Sequence, residues 1–316
     1  MPSLQFSLQS IFGMVTHMYT YTLIDCDERL HSLVQAWKEA QIDTVAMDFE
    51  GEFNLHVYGE HLCLIQLNDG ERFFLIDPFT VSMEAIGSFL EDAAIEKIMF
   101  DCSSDTALMR KRYGVQVENI TDLRIHALAL SLTGSLASLI ERYLPDAPKL
   151  FTGSKKKNQR TNWMTRPLSE DQIQYALDDV AHLFALKKIL EEEVREKGLA
   201  GEVAEKMKSA GQKTRGEERP PWSKVSSWKY LSTREKVYHK HFFLARDGLA
   251  QQYNVPAVRI MDKHLLLKMA KEVPQDAASF ARHCPKQDRR LTEELVRALM
   301  KAKAEAEEEL RGSSPR

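Results

Sequence analysis

Three short apolar runs near the start of the chain constrain it most: TVAMDFEG at 44–51, HLCLIQLND at 61–69 and RFFLIDP at 72–78. Each is rich in β-branched, aromatic or aliphatic residues and is bounded by Gly, Asn or Asp, the pattern of β-strands. NDGE between the last two supplies a turn, so the runs read as a meander. Residues 20–24 open another strand. DERLHSLVQAWKEA then spaces Leu30, Leu33, Val34 and Trp37 as a helical stripe. KIMFD at 97–101 reads as a strand following a helix at about 83–92, and the pattern is mostly helical from there to residue 197. The layout is α/β: a meander, then αβ units, then helices.

A different composition follows. Residues 199–221, containing GEVAEKMKSAGQKTRGEERPP, read as a linker. Residues 222–303 lack a strand pattern and show helical stretches broken at NVP, EVP and CPK, so an all-α domain is expected, with 304–316 as a tail, either a fraying helix or disordered. Residues 1–18 carry no charged side chain other than His17 and are expected to lie outside a fold that begins near Tyr19, with Met14 and Met18 as alternative starts. They lack the basic segment and cleavage site of a signal peptide. No apolar run reaches the length of a membrane span. Four cysteines without a C-x-x-C pair fit reduced thiols better than disulfide staples or a zinc site. A cytoplasmic protein is expected.

The formal net charge of −3 argues, on its face, against a polyanionic partner. Its distribution argues otherwise. Residues 1–201 hold 19 basic and 30 acidic side chains, a net of −11, whereas residues 222–301 hold 16 basic and 8 acidic, a net of +8. A basic helical module beside an acidic domain suits a phosphate backbone held next to a cation-collecting site.

Asp48 and Glu50, two apart in a strand, share one face, with Met47 and Phe49 on the other. Like charges side by side are destabilising unless a cation, proton or basic partner compensates. A divalent metal would satisfy them; so would a strand end facing water. In SEDQIQYALDDVAHLFAL, Ser169 is an N-cap candidate and the apolar positions recur helically. Tyr175 and Asp179 therefore share a face, while Asp178 points elsewhere. A phenol and a carboxylate one turn apart suit the orientation of a water beside a metal. In KIMFDCSSDTALM, Ser103 or Ser104 is expected to cap a helix with Asp105 in its first turn, where the helix dipole favours an acid whatever its role. Each feature alone has an ordinary surface reading. Their order and spacing together do not.

Taken together, residues 44–195 resemble the 3′–5′ exonuclease domain of the ribonuclease D family, the DEDD type with a tyrosine in its third motif. VAMDFEGEF matches the first motif, followed by LCLIQL and FFLIDP; KIMFDCSSDTALM matches the second. ITDLRIHALAL and SLASLIERYL follow its intermediate region, and NQRTNWMTRPLSEDQIQYALDDVAHL matches the third motif. HFFLARDGLAQQYNVPAVRIMDKHLLLKMAKEVP resembles the helicase-and-RNase-D C-terminal (HRDC) domain. Two departures stand out. Glu52 is an extra acid after Gly51, on the Asp48/Glu50 face only if the strand continues, and Phe100-Asp101 stands where a His often precedes the helix.

The resemblance implies an RNase H-like mixed-sheet domain over 19–198 followed by an HRDC-like helical domain. It implies a 3′–5′ exoribonuclease releasing nucleoside 5′-monophosphates, with Asp48, Glu50, Asp105, Tyr175 and Asp179 as the catalytic set. The four carboxylates would hold two divalent cations, Mg²⁺ or Mn²⁺, and Tyr175 would orient or deprotonate the nucleophile. The expected partner is RNA with a single-stranded 3′ end, tRNA precursors included. A DNA exonuclease and a catalytically quiet nucleic-acid-binding protein are the alternatives. Lys155, Lys156, Lys157 and Arg160 are candidate phosphate contacts. Trp163 is expected to pack, and the Phe49 and Phe53 region is a candidate contact for the terminal base.

Overall fold

The computed structural model describes residues 19–148, 160–210, 219–285 and 288–312. The meander forms as β2 (Thr44–Phe53), β3 (Glu60–Asn68) and β4 (Phe73–Ile76), with β3 antiparallel to both neighbours. The connection through α1 (Asp27–Glu39) and the meander lays β1 (Tyr21–Ile24) parallel to β4. On the other side, β5 (Glu96–Met99) and β6 (Ile120–Asp122) extend the sheet in parallel from β2. The order is β1-β4-β3-β2-β5-β6, a mixed sheet with β2 near its centre.

The period of two along β2 sorts its side chains. Met47 and Phe49 enter a core with Leu30, Trp37 and Phe89, contributed by α1 and α2 (Met83–Leu90). Phe49 is thereby 6% exposed, which withdraws it as a base contact; Phe53 is exposed. Ala46 faces the opposite layer, where α4 (Leu123–Ala129), α6 (Glu170–Ala181) and α7 (Leu183–Glu196) bury Leu123, Val180, Leu183 and Leu186. Between these lie α3 (Ser103–Leu108) and α5 (Leu136–Tyr143). Asp48 and Glu50 thus stand on a face that α6 also covers.

The linker begins later than its composition suggests. Ala200–Met207 is a helix, α8, whose Val203 is buried among Leu123, Ala127 and Val194 and whose Met207 sulfur accepts the Asp122 N–H at 3.2 Å. Its apolar residues are one turn apart inside a charged stretch, so a short amphipathic helix was concealed by mean polarity. The stretch 211–218 lies outside the described residues.

The C-terminal domain contains helices and no strand among its described residues. α9 (Thr233–Gln252) starts on a capping box between Ser232 and Glu235 and runs antiparallel to α13 (Arg289–Gly312). α10 (Ala257–Ile260), α11 (Lys263–Lys271) and α12 (Ala277–His283) close the bundle around Phe242, Leu266, Met269, Phe280 and Leu299. The expected tail from 304 onward is instead part of α13 as far as Gly312, because Ala302 and Ala306 bury their small side chains in this core.

The two domains meet at the β2–β3 turn. The Tyr58 hydroxyl donates to Asp247 at 2.6 Å, and the Tyr58 N–H donates to the side chain of Asn254 at 3.3 Å.

Candidate active site

β2 brings Asp48 and Glu50 to one face, and α6 brings Asp179 to the same place. Carboxylate oxygens of these three residues lie within 4.8 Å of one another. The helix is set by a capping box in which Ser169 and Gln172 exchange hydrogen bonds with each other's backbone. The Asn68 amide donates to Val180 O at 3.4 Å, tying the end of β3 to α6. Tyr175, 6% exposed, packs against Trp163 with ring centroids 6.2 Å apart, so Trp163 fills space as expected. The Tyr175 phenol is raised well above its ordinary pKa, first by burial and then by the Asp179 charge, and it shares a hydrogen bond with the Asp179 side chain. Asp178 turns away and accepts from Gln174 at 3.3 Å.

Asp105 stands beside this trio but outside its 4.8 Å set. It occupies the first turn of α3, as expected, but neither Ser103 nor Ser104 caps that helix; Cys102 is the N-cap residue and makes no side-chain cap bond. The support comes from the neighbouring strand. Asp122, at the end of β6, accepts the N–H groups of Asp101 at 2.8 Å and Cys102 at 3.3 Å, holding Asp101 at φ 61. Asp122 is therefore a positioning residue for the second motif. The signal was an aspartate ending a short strand, which residue type alone does not separate from a local turn.

The electrostatics report crowding. Asp48 is pushed well above the usual carboxylate range, first by burial and then by Asp105 and Asp179. Glu50 is raised likewise, by burial and then by Asp48, Asp179 and Asp105. Asp105 is pushed up to about 7 by burial, with Asp101 and Asp122 adding to it. Among the described residues no salt bridge offsets this charge at Asp48, Glu50 or Asp105, and an oxygen-only donor set of this kind fits hard divalent cations.

Gln66 was not singled out in the sequence. It pairs with Asp48 in the β2–β3 register and donates to its carboxylate at 2.9 Å. A lone polar residue on the inward phase of LCLIQL was the available signal. Glu52 resolves in the other direction. A register shift between Glu50 and Gly51 breaks the parity, and Glu52 is buried, accepting from Leu55 N–H, His56 N–H and the His56 ring. It staples the turn and does not join the acid cluster. At the shift, a Cβ on Gly51 would meet the folded-back Phe53 ring at 2.7 Å, so the glycine lets that exposed ring lie over the bulge. Of the basic run, Arg160 is exposed in a turn, and Lys155, Lys156 and Lys157 lie outside the described residues.

Comparison with known proteins agrees with this geometry. Residues 21–195 match the 3′–5′ exonuclease family and residues 240–302 match the HRDC domain. The chain is 33% identical over 170 residues to ribonuclease D of Desulfotalea psychrophila, covering 53% of this chain and 44% of that one. It is 26% identical over 268 residues to ribonuclease D of Granulibacter bethesdensis, covering 82% and 65% respectively. The chain thus spans less than two thirds of the length of either relative. A crystal structure of Escherichia coli RNase D, described as an exoribonuclease involved in structured RNA processing, has the same fold, with a TM-score of 0.71 and 24% identity over 90% of this chain and 75% of that one. Because the exonuclease match takes in more than half of the sequence and all five residues of the candidate site, the chain belongs to the 3′–5′ exonuclease family.

Proposed function

We propose that this chain is a metal-dependent 3′–5′ exoribonuclease that hydrolyses RNA from its 3′ end to nucleoside 5′-monophosphates, in the trimming or turnover of tRNA and other structured RNA. The observation that carries the reading is the convergence of Asp48, Glu50 and Asp179, on two different elements, within 4.8 Å on a recessed face. A protein that merely binds nucleic acid gains nothing from concentrating repulsion there.

Asp48, Glu50, Asp105 and Asp179 would hold two divalent cations, Mg²⁺ or Mn²⁺. Bound there, the cations would supply Lewis-acid activation of a water and stabilisation of the leaving 3′ oxygen. The chain's own residues do the rest. Gln66 fixes one oxygen of Asp48 and leaves the other directed by the strand. The Tyr175 hydroxyl, one turn before Asp179, would orient the attacking water. Burial against Trp163 and the β3 residues Cys63 and Leu64 keeps that phenol from wandering. Arg160, and the lysines at 155–157, are assigned to phosphate contacts before the site. The cytoplasm is the proposed compartment, supported by four free cysteines, two of them buried.

The test is purified protein with RNA or DNA single strands labelled at either end, in Mg²⁺, Mn²⁺ or EDTA. Stepwise shortening of RNA from the 3′ end, abolished by EDTA and by Asp48→Ala, is expected. Preferential shortening of DNA selects the DNA exonuclease instead. No shortening of either strand with either metal overturns the reading.

A further inference from the structure

The helix that carries Asp105 does not end at Leu108. It widens into a π-helical turn over Met109–Tyr113, which re-aims the side chains that follow it. Both ends of the turn are fixed. Met109 is fully buried, and the Tyr113 hydroxyl accepts the N–H of Leu62 at 2.9 Å. Between them, Lys111 and Arg112 are exposed and line an open cleft of about 430 Å³. The opposite walls are Tyr58 from the β2–β3 turn and His61 from the start of β3, with Gln251 and Asn254 from the end of α9.

This cleft spans both domains, and its width is fixed. Tyr58 reaches Asp247 and Asn254 across the joint, while Glu52 and Asn54 tie the same turn from within. One acid, Glu60, shares the lining with Lys111, Arg112 and the His61 ring. Two cations and two amides match phosphodiester oxygens, which take charge-assisted and neutral N–H donors, while the His61 ring spends its Nε2–H on Tyr58 O at 2.9 Å and braces the turn. The polar lining and open shape suit a chain better than a small apolar ligand. The cleft also lies close to the acid cluster. Lys111 is six residues beyond Asp105, a helix rise of about 9 Å. His61 is three residues before Leu64, the strand partner of Glu50, a distance of about 10 Å.

Resting on the exonuclease reading above, we propose that this cleft is a phosphate subsite for the single RNA strand upstream of the 3′ end. Lys111 and Arg112 are its contacts, and the Tyr58–Asp247 hydrogen bond sets its width.

The test uses the full chain with Mg²⁺ and the Lys111→Gln/Arg112→Gln double variant, whose altered side chains are exposed. Substrates are a trinucleotide, too short to fill the cleft, and a long unstructured RNA. Trinucleotide turnover should stay within about twofold of wild type, whereas KM for the long RNA rises about tenfold with kcat unchanged. The slope of log affinity against log salt should fall by roughly 1.4, at about 0.7 per lost phosphate contact. Tyr58→Phe keeps the charges, so it should raise the long-RNA KM and leave the slope alone. Fluorescence anisotropy of the long RNA, read without turnover, measures the slope even if wild type shortens no RNA, which separates failure of the subsite from failure of the exonuclease reading. A double variant with the wild-type slope and the wild-type long-RNA KM overturns the proposal.

Discussion

Gln66 Nε2 donates to Asp48 Oδ2 at 2.9 Å from the directly opposed position on β3, while the side-chain oxygen Oε1 of Gln66 is buried without a hydrogen-bond partner among the described residues. This side chain is thus held at some cost to fix a carboxylate. Gln66→Leu should raise the Mg²⁺ concentration for half-maximal activity by about 10- to 100-fold, the usual effect of losing a residue that orients a metal ligand. Stability should hold within about 1 kcal/mol, because removal of the unpaired Gln66 Oε1 offsets the loss of the donor to the buried Asp48 carboxylate. Activity titrated against metal, beside a thermal melt, checks both. A parallel loss of stability would mean that Gln66 serves packing.

The acid cluster should also show itself without any substrate. Its like charges oppose one another, so EDTA should lower the melting temperature and Mg²⁺ or Mn²⁺ should raise it. Asp48→Asn removes one of the charges raised by burial and by its neighbours. The variant should melt about 2–4 °C above metal-free wild type, for a gain on the order of 1 kcal/mol, and lose most of its response to metal. Differential scanning calorimetry of both proteins in EDTA decides this; a metal-free variant melting below wild type would contradict it.

Much of this site was legible because two periodicities carry it. Period two placed Asp48 with Glu50, and the helical repeat placed Tyr175 with Asp179 and turned Asp178 aside. What stayed hidden depends on long-range pairing. Nothing local in ITDL shows that Asp122 will cap the turn before Asp105, since that needs β6 beside β5. Glu52 kept the parity of the cluster until a bulge at Gly51 reversed it. The Tyr58 contact joins residues 189 positions apart and is invisible to any local pattern. Polarity averages misled at both domain ends, where Val203 and Ala306 each bury a short stripe inside charged sequence.

Lys97 gives a pH test away from the site. It is fully buried in β5, its ammonium donating to Asp92 O at 2.6 Å, and burial pulls its pKa down to about 8. The unfolded chain keeps a lysine near its ordinary value of about 10.4. Between these two values the unfolded state binds more protons, so the contribution of Lys97 to stability improves as pH rises. Lys97→Met should therefore be more stable than wild type near neutral pH, with an advantage that shrinks by roughly 3 kcal/mol at most from pH 8 to 10. Urea melts of the two proteins across that range measure the difference. A constant or widening gap would contradict the charge-burial account.

Arg166 secures the third-motif segment to the sheet. Its guanidinium takes both oxygens of Asp77, at 2.7 and 3.0 Å, donates to the carbonyls of Cys63 and Trp163, and lies 4.5 Å from the Phe79 ring centroid. A lysine preserves the charge but not the planar fork. Arg166→Lys should cost about 2 kcal/mol and leave carbonyls unpaired. Because Trp163 backs Tyr175, kcat should fall along with stability. Matching melts and rates for Arg166→Lys and wild type would show the fork to be dispensable.

The C-terminal helix offers the sharpest correction to the composition-based boundary. Glu309 takes Lys240 and His241 of α9, each at 2.9 Å, and these partners, Lys240 first, hold its carboxyl below the usual range. Ala306 is fully buried one turn earlier, and Leu310 is half-buried on the same core. Deleting 304–316 removes all three contacts and exposes the facing side of α9. The loss should be about 2 kcal/mol, chiefly apolar burial, because an exposed ion pair contributes little. Glu309→Gln alone should cost well under that. Hydrogen exchange of α9 amides reads the effect in place: faster exchange in the truncated chain, near-normal exchange in Glu309→Gln, and no change in β2 or β3. Unaltered α9 protection after truncation would return residues 304–312 to the status of a loose tail.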